Sequence, residues 1–148
     1  TWNGNLISSI EGQSNTNSIP FNFYWGGIGS ISFEFASRGC EDIISIDVDS
    51  RCLQFVFKIS NELNFNITTI KKDALKFISK NNINFDVIFA DPPYNYKLYN
   101  DLINLSIASL NKNSCFILEH SKYMSFNSFA NFKECKKYGN VNFSIFEK

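Results

Sequence analysis

An acid, two prolines and a tyrosine follow directly on the apolar run Phe-Asp-Val-Ile-Phe-Ala at residues 85–90. Asp91, Pro92, Pro93 and Tyr94 are the residue types needed to handle a nucleobase amine. The lone pair of an exocyclic NH2 is delocalised into the ring, which makes it a poor nucleophile. Two oxygen acceptors that grip its hydrogens favour pyramidalisation and aim the lone pair at an electrophile. The Asp91 carboxylate and the Pro92 backbone carbonyl make such a pair. Each proline removes an N–H and drives the residue before it out of the helical region, so the loop presents carbonyls along a stiff bend. Tyr94 offers a flat face on which a base can stack. The plainer reading is a turn that closes a buried strand.

Two further loops carry chemistry of a compatible kind. Trp-Gly-Gly-Ile-Gly-Ser at residues 25–30 lets the backbone turn tightly and approach a ligand, with the N–H groups of a following helix behind it. Its spacing is not GxGxxG, since Ser32 stands three after Gly29, and an ordinary strand-to-helix turn reads equally well. Asp47 ends the run Asp-Ile-Ile-Ser-Ile-Asp-Val, where an acid can accept both hydroxyls of a ribose. A solvated acid or a helix cap is the alternative, and Asp49 competes for both roles. Asp73 either reaches an adenine amino group or caps the next helix; the two do not exclude each other.

The elements that must hold these loops follow from periodicity. Residues 21–25 read as a strand, and Ser30 to Ser37 as a helix with Ile31 and Phe35 on one face, ended by Arg38-Gly39. Residues 42–48 form the next strand. A helix capped by Ser50 then carries Leu53, Val56, Phe57, Ser60 and Leu63. Residues 66–70 make a third strand, followed by a helix with Leu75, Phe77 and Ile78, and residues 85–90 make the fourth. Leu98, Leu102, Leu105 and Ala108 or Ser109 mark another helix, and residues 115–120 a fifth strand. Residues 132–138 and 141–147 flank Gly139-Asn140 as a hairpin. Alternation of this kind implies a parallel sheet covered on both faces, with an antiparallel hairpin at one edge. Residues 1–20 read as a poorly ordered or divergent arm, and residues 21–148 as one domain.

Bulk properties agree with a single globular domain. The chain has 148 residues, 44% hydrophobic and 19% charged, with a formal charge of zero. A neutral chain must meet nucleic acid through a local patch: Lys122, Lys133, Lys136 and Lys137 could form one, with Lys71 and Lys72 on another loop, unless they are merely a solvated face. Four separated cysteines give no metal ribbon and no disulfide framework, so no metal site is expected. Neither a membrane span nor a signal peptide is visible, which favours a cytoplasmic protein; the oligomeric state is not legible in the sequence, and a monomer is the default expectation. His120, at the end of the fifth strand, reads as structural rather than catalytic.

With these residues in view, the chain resembles a known family. Gly27-Ile-Gly-Ser30, Ile46-Asp-Val-Asp49, Lys72-Asp-Ala74 and Asp91-Pro-Pro-Tyr94 stand in the order seen in S-adenosylmethionine-dependent amino-methyltransferases. Residues 30–40, 89–94, 117–122 and 137–147 look more narrowly like the bacterial family that methylates a guanine N2 in small-subunit ribosomal RNA. The resemblance implies a Rossmann-like class I methyltransferase fold, α/β, with a mostly parallel seven-stranded sheet and an antiparallel C-terminal hairpin. It implies S-adenosylmethionine as cofactor, held by Gly27, Gly29, Ser30, Asp47, Asp73 and Ala74, with Asp91 to Tyr94 receiving the base. Ribosomal RNA or the small subunit would be the substrate. Phe23 stands where the family carries an acid, and residues 1–20 do not resemble its N-terminal segment, so the chain reads as a shortened or divergent member. The alternatives are an adenine-N6 methyltransferase acting on DNA or RNA, and an inactive methyltransferase-like RNA-binding domain.

Overall fold

The computed structural model describes residues 30–93 and 95–148. The expected arm at residues 1–20 and strand at residues 21–25 lie outside them. The described chain alternates between helix and strand: α1 Ser30–Ser37, β1 Ile43–Asp47, α2 Ser50–Glu62, β2 Ile67–Lys71, α3 Ala74–Lys80, β3 Phe85–Ala90, α4 Tyr99–Ala108, β4 Leu110–Ser121, β5 Phe132–Tyr138 and β6 Val141–Glu147.

The strands form two hydrogen-bonded sets, a parallel pair β1–β2 and a four-stranded sheet in the order β3–β4–β6–β5. Within the second set β3 and β4 are parallel, while β4–β6 and β6–β5 are antiparallel. The described sheet structure is therefore mixed, not one mostly parallel seven-stranded sheet. The hairpin at Gly139 reverses the chain, so β6 returns against β4. Gly139 has φ +62° and Asn140 is not in the left-handed region, which suits a type II′ turn with glycine at its first central position.

Two apolar clusters lie on opposite faces of the strands. One gathers Ile44 and Ile46 of β1, Ile88 and Ala90 of β3, and Phe116 and Leu118 of β4 under α3 and α4. The other gathers Ile43, Val87, Phe89, Ile117 and Ile145 under α1 and α2, through Ile31, Phe35 and Val56. Alternate residues of β3 thus enter different clusters, which is why its sequence is apolar apart from Asp86. A register shift between Phe85 and Val87 returns Phe85 to the first cluster.

The helix ends follow from local chemistry. Gly39 has φ +91°; its N–H reaches the Ala36 carbonyl at 3.0 Å while the Cys40 N–H reaches Phe35 at 3.0 Å, the paired bonds of a Schellman cap. Asn64, with φ 55°, closes α2 the same way through Phe65 N–H to Ser60. Asp49, not Ser50, is the N-cap of α2: its side chain accepts from the Arg51 N–H at 2.9 Å. Two helix faces also turn away from expectation. Phe57 and Leu63 are exposed, leaving Leu53, Val56 and Ser60 buried on α2. On α4 the buried stripe is Tyr99, Leu102, Ile103 and Ser106, with Leu98 exposed, because the Tyr99 ring fills the space beside Phe126.

Phe116 is fully buried and stacks on Phe146 at 5.5 Å between centroids. Phe116→Ala is expected to cost about 3–5 kcal/mol, read as a lower urea midpoint at unchanged slope.

Candidate active site

Three acids mark the carboxyl ends of parallel strands. Asp47 is the last residue of β1, Asp73 follows β2, and Asp91 follows β3. The backbone ties the first two ends together, since the Lys72 N–H donates to the Asp47 carbonyl at 3.0 Å. Crevices beyond such ends are where open α/β sheets take ligands.

Asp47 and Asp49 divide the roles that the sequence left open between them. Asp49 caps α2 and pairs with Arg51 at 2.8 Å. Asp47 Oδ1 accepts the Asp49 N–H at 2.7 Å, which fixes the half-buried carboxylate. Among the described residues no donor reaches its Oδ2, so that oxygen remains for a hydroxyl. Asp73 does serve as the N-cap of α3, accepting the Lys76 N–H at 2.9 Å through Oδ1. Ala74, the first residue of α3, has its side chain buried in the core. Ser30 begins α1; Gly27, Gly29, Phe23 and Tyr94 lie outside the described residues.

Asp91 is half-buried, and Pro92 behind it is buried while Pro93 is exposed. The Tyr96 N–H donates to the Pro93 carbonyl at 2.9 Å, folding the loop back on itself. No backbone N–H of the described residues donates to the Pro92 carbonyl. Burial lifts the Asp91 carboxyl to about 7, and the negative charge of Glu119 adds to the effect. Ladder register explains that neighbour: Ala90 pairs with Leu118, so the next residues on both strands emerge side by side. Burial raises Glu119 as well.

Two tyrosines that the sequence does not single out lie near these acids. Tyr96 and Tyr99 meet edge to face at 5.2 Å, and Tyr99 packs on Phe126 at 5.2 Å. Burial pushes the Tyr96 hydroxyl up to about 12, with the charges of Asp73 and Asp101 adding to it; burial and the charge of Asp91 raise Tyr99. The tyrosine pair therefore spans between Asp73 and Asp91. Composition hides this, because tyrosines at 96 and 99 read as an ordinary helix entry. His120 is structural, as expected. It is buried, edge-on to Phe126, with Nδ1 at 2.9 Å from the Ser121 carbonyl and Nε2 at 2.7 Å from Ser144 Oγ. A carbonyl can only accept, so Nδ1 carries the proton and Nε2 accepts from Ser144. Burial holds its pKa below the ordinary value, which keeps this neutral arrangement.

Burial raises the thiols of Cys40 and Cys115 to about 11 and about 12, so neither is a thiolate near neutrality. Among the described residues no three His, Cys, Asp or Glu are grouped to hold a metal ion, and no helix is long and apolar enough to cross a membrane.

Comparison with known proteins gives this arrangement a context. The ribosomal RNA small subunit methyltransferase D of Buchnera aphidicola subsp. Acyrthosiphon pisum is 27% identical over 129 residues, covering 84% of this chain and 61% of that protein. The chain thus spans about three-fifths of that relative's length. A methylase of Haemophilus influenzae superposes with TM-score 0.76 at 21% identity, covering 95% of this chain and 86% of that one. The Thermus thermophilus 16S rRNA N2 G1207 methyltransferase, solved with S-adenosylmethionine and guanosine, superposes with TM-score 0.73 at 15% identity, covering 97% of this chain and 42% of that one. The likeness to these structures shows an α/β class I methyltransferase fold. Since the family model described as conserved hypothetical protein 95 matches residues 16–147, the chain belongs to that family.

Proposed function

We propose that this chain transfers a methyl group from S-adenosylmethionine to the exocyclic N2 amine of a guanine in small-subunit ribosomal RNA, as a cytoplasmic monomer. The observation that carries the reading is the half-buried Asp91, held near 7 at the tip of β3 beside the Pro92 carbonyl. Family membership and the names of the relatives support the substrate class. A seventh strand is part of the proposal, since β1 and β3 share both apolar clusters yet belong to separate hydrogen-bonded sets.

The residues present suit the cofactor. Asp47 keeps one oriented carboxylate oxygen for the ribose hydroxyls, and Asp73 stands at the next strand end, near the adenine. Gly27, Gly29 and Ser30 would hold its amino-acid portion. When bound, S-adenosylmethionine supplies a methyl on a sulfonium sulfur that departs as a neutral thioether. The chain's own part is to seat the base and accept a proton. The Asp91 carboxylate and the Pro92 carbonyl take the two N2 hydrogens and turn the lone pair outward. As N2 gains the methyl it becomes cationic, and it returns to neutrality by giving one proton to Asp91. A carboxyl poised near 7 is suited to that exchange, which an ordinary surface aspartate is not. Tyr94 would supply a flat wall for a base that has left its stack, with Tyr96 close by in sequence and braced by the buried Tyr99.

Labelled methyl transfer to small subunits lacking the modification tests the reading. N2-methylguanosine is expected on digestion to nucleosides; methyladenosine, or no transfer by folded protein, would overturn it. Asp91→Asn should lower kcat by about 100-fold or more. The same variant should be more stable than the parent above pH 7. A carboxyl raised in the folded state stabilises fully below its unfolded pKa and loses that contribution as pH rises through about 7.

Two variants address individual roles. The rate should climb through about pH 7, since the ionised carboxylate is the acceptor. Glu119→Gln removes a negative neighbour, so the climb should move to lower pH. Asp47→Ala should weaken S-adenosylmethionine about 10-fold or more by calorimetry, from loss of charged hydrogen bonds.

A further inference from the structure

We propose that the turn after β4 and the β5–β6 hairpin form a landing surface for single-stranded RNA flanking the target base. The inference rests on the proposed RNA methylation and adds where the strand is held. Topology brings the surface to the site. β4 runs parallel to β3, so Ser121 leaves the sheet at the same end as Asp91. β6 runs antiparallel to β4 with Val141 opposite Ser121, which carries the Gly139-Asn140 turn to that end too. The Lys122 N–H then donates to the Asn140 carbonyl at 3.3 Å and joins the two loops.

The chemistry of the joined loops matches a nucleic-acid strand. Residues 120–132 and 135–146 contain Lys122, Lys136 and Lys137 and no carboxylate, in a chain whose formal charge is zero. Lys122 and Lys137 are exposed. Lys133 belongs elsewhere, because Glu147 pairs with it. Aromatic rings stand among the lysines. Tyr123 is 86% exposed, with the Lys122 ammonium over its ring at 5.1 Å from the centroid. Tyr138 is exposed and braced edge to face by Phe143 at 5.8 Å. Cations beside rigid rings serve phosphates and bases together, which favours an unstacked strand over a duplex or an acidic protein.

The test uses a fluorescein-labelled single-stranded RNA of about 12 nucleotides, followed by anisotropy across a potassium chloride series. Tyr123→Ala should weaken binding about 5-fold or more with the salt slope unchanged. The double variant K122A/K137A should weaken binding and reduce the slope by about 1.4, the single-strand value for two phosphates. Lys112→Ala, at the opposite end of β4, should bind as the parent. Circular dichroism confirms that each variant is folded. Parent-like binding and slope in both test variants would overturn the surface, as would a parent protein that does not bind the RNA. Labelled methyl transfer separates this from the enzyme reading. Transfer with no dependence on Tyr123, Lys122 or Lys137 sinks the surface alone. Patch-dependent binding without transfer supports the surface and sinks the enzyme reading.

Discussion

A carboxylate at the mouth of a strand that is apolar on both faces is the constraint from which the rest follows. β3 can exist only between two covering layers, because Val87 and Phe89 face one way and Ile88 and Ala90 the other. The same layers strip water from the first polar residue beyond it. Asp91 is therefore costly to ionise, and Glu119 on the adjacent strand makes it more so. An ordinary surface aspartate would be charged throughout the physiological range. Here burial lifts the carboxyl to about 7, and the two prolines stiffen the backbone that follows it. Core and chemistry have the same cause.

β4 is the element that transmits this arrangement. On one side it is parallel to β3 and sets Glu119 beside Asp91; on the other it is antiparallel to β6. The neutral imidazole of His120 bonds to Ser144 on β6 and to its own chain at Ser121. That pair pins the two strands together where they approach the rim. A lone histidine at a strand end thus has a structural reason to be there.

Sequence patterns carried some of this and not the rest, for identifiable reasons. Alternation of apolar runs and helical spacing located the described strands and helices, since each signal is local. Asp73 was readable as a cap because nothing near it competes. Ser50 was misread because Asp49 sits one residue earlier and caps equally well. Counting leucines put Leu98 on the buried face of α4, whereas the buried ring belongs to Tyr99, a residue with both an apolar body and a polar tip. The Asp91–Glu119 neighbourhood depends on the ladder register of two strands separated by a helix, which no local pattern encodes. The mixed character of the sheet was half visible: Gly139-Asn140 announced a hairpin, but not that its second strand would insert between β4 and β5.

The strand order leaves β5 at the margin of its sheet. A margin of that kind exposes unpaired backbone N–H and C=O groups that would bond to any extended chain, including another copy of this one. Along β5 the exposed positions include Lys133, Glu134 and Lys137, and charge of this density resists the stacking of sheet upon sheet. Lys137 thus adds charge at that margin as well as beside the hairpin turn, so its loss would be felt in self-association at high concentration before any change in the fold itself.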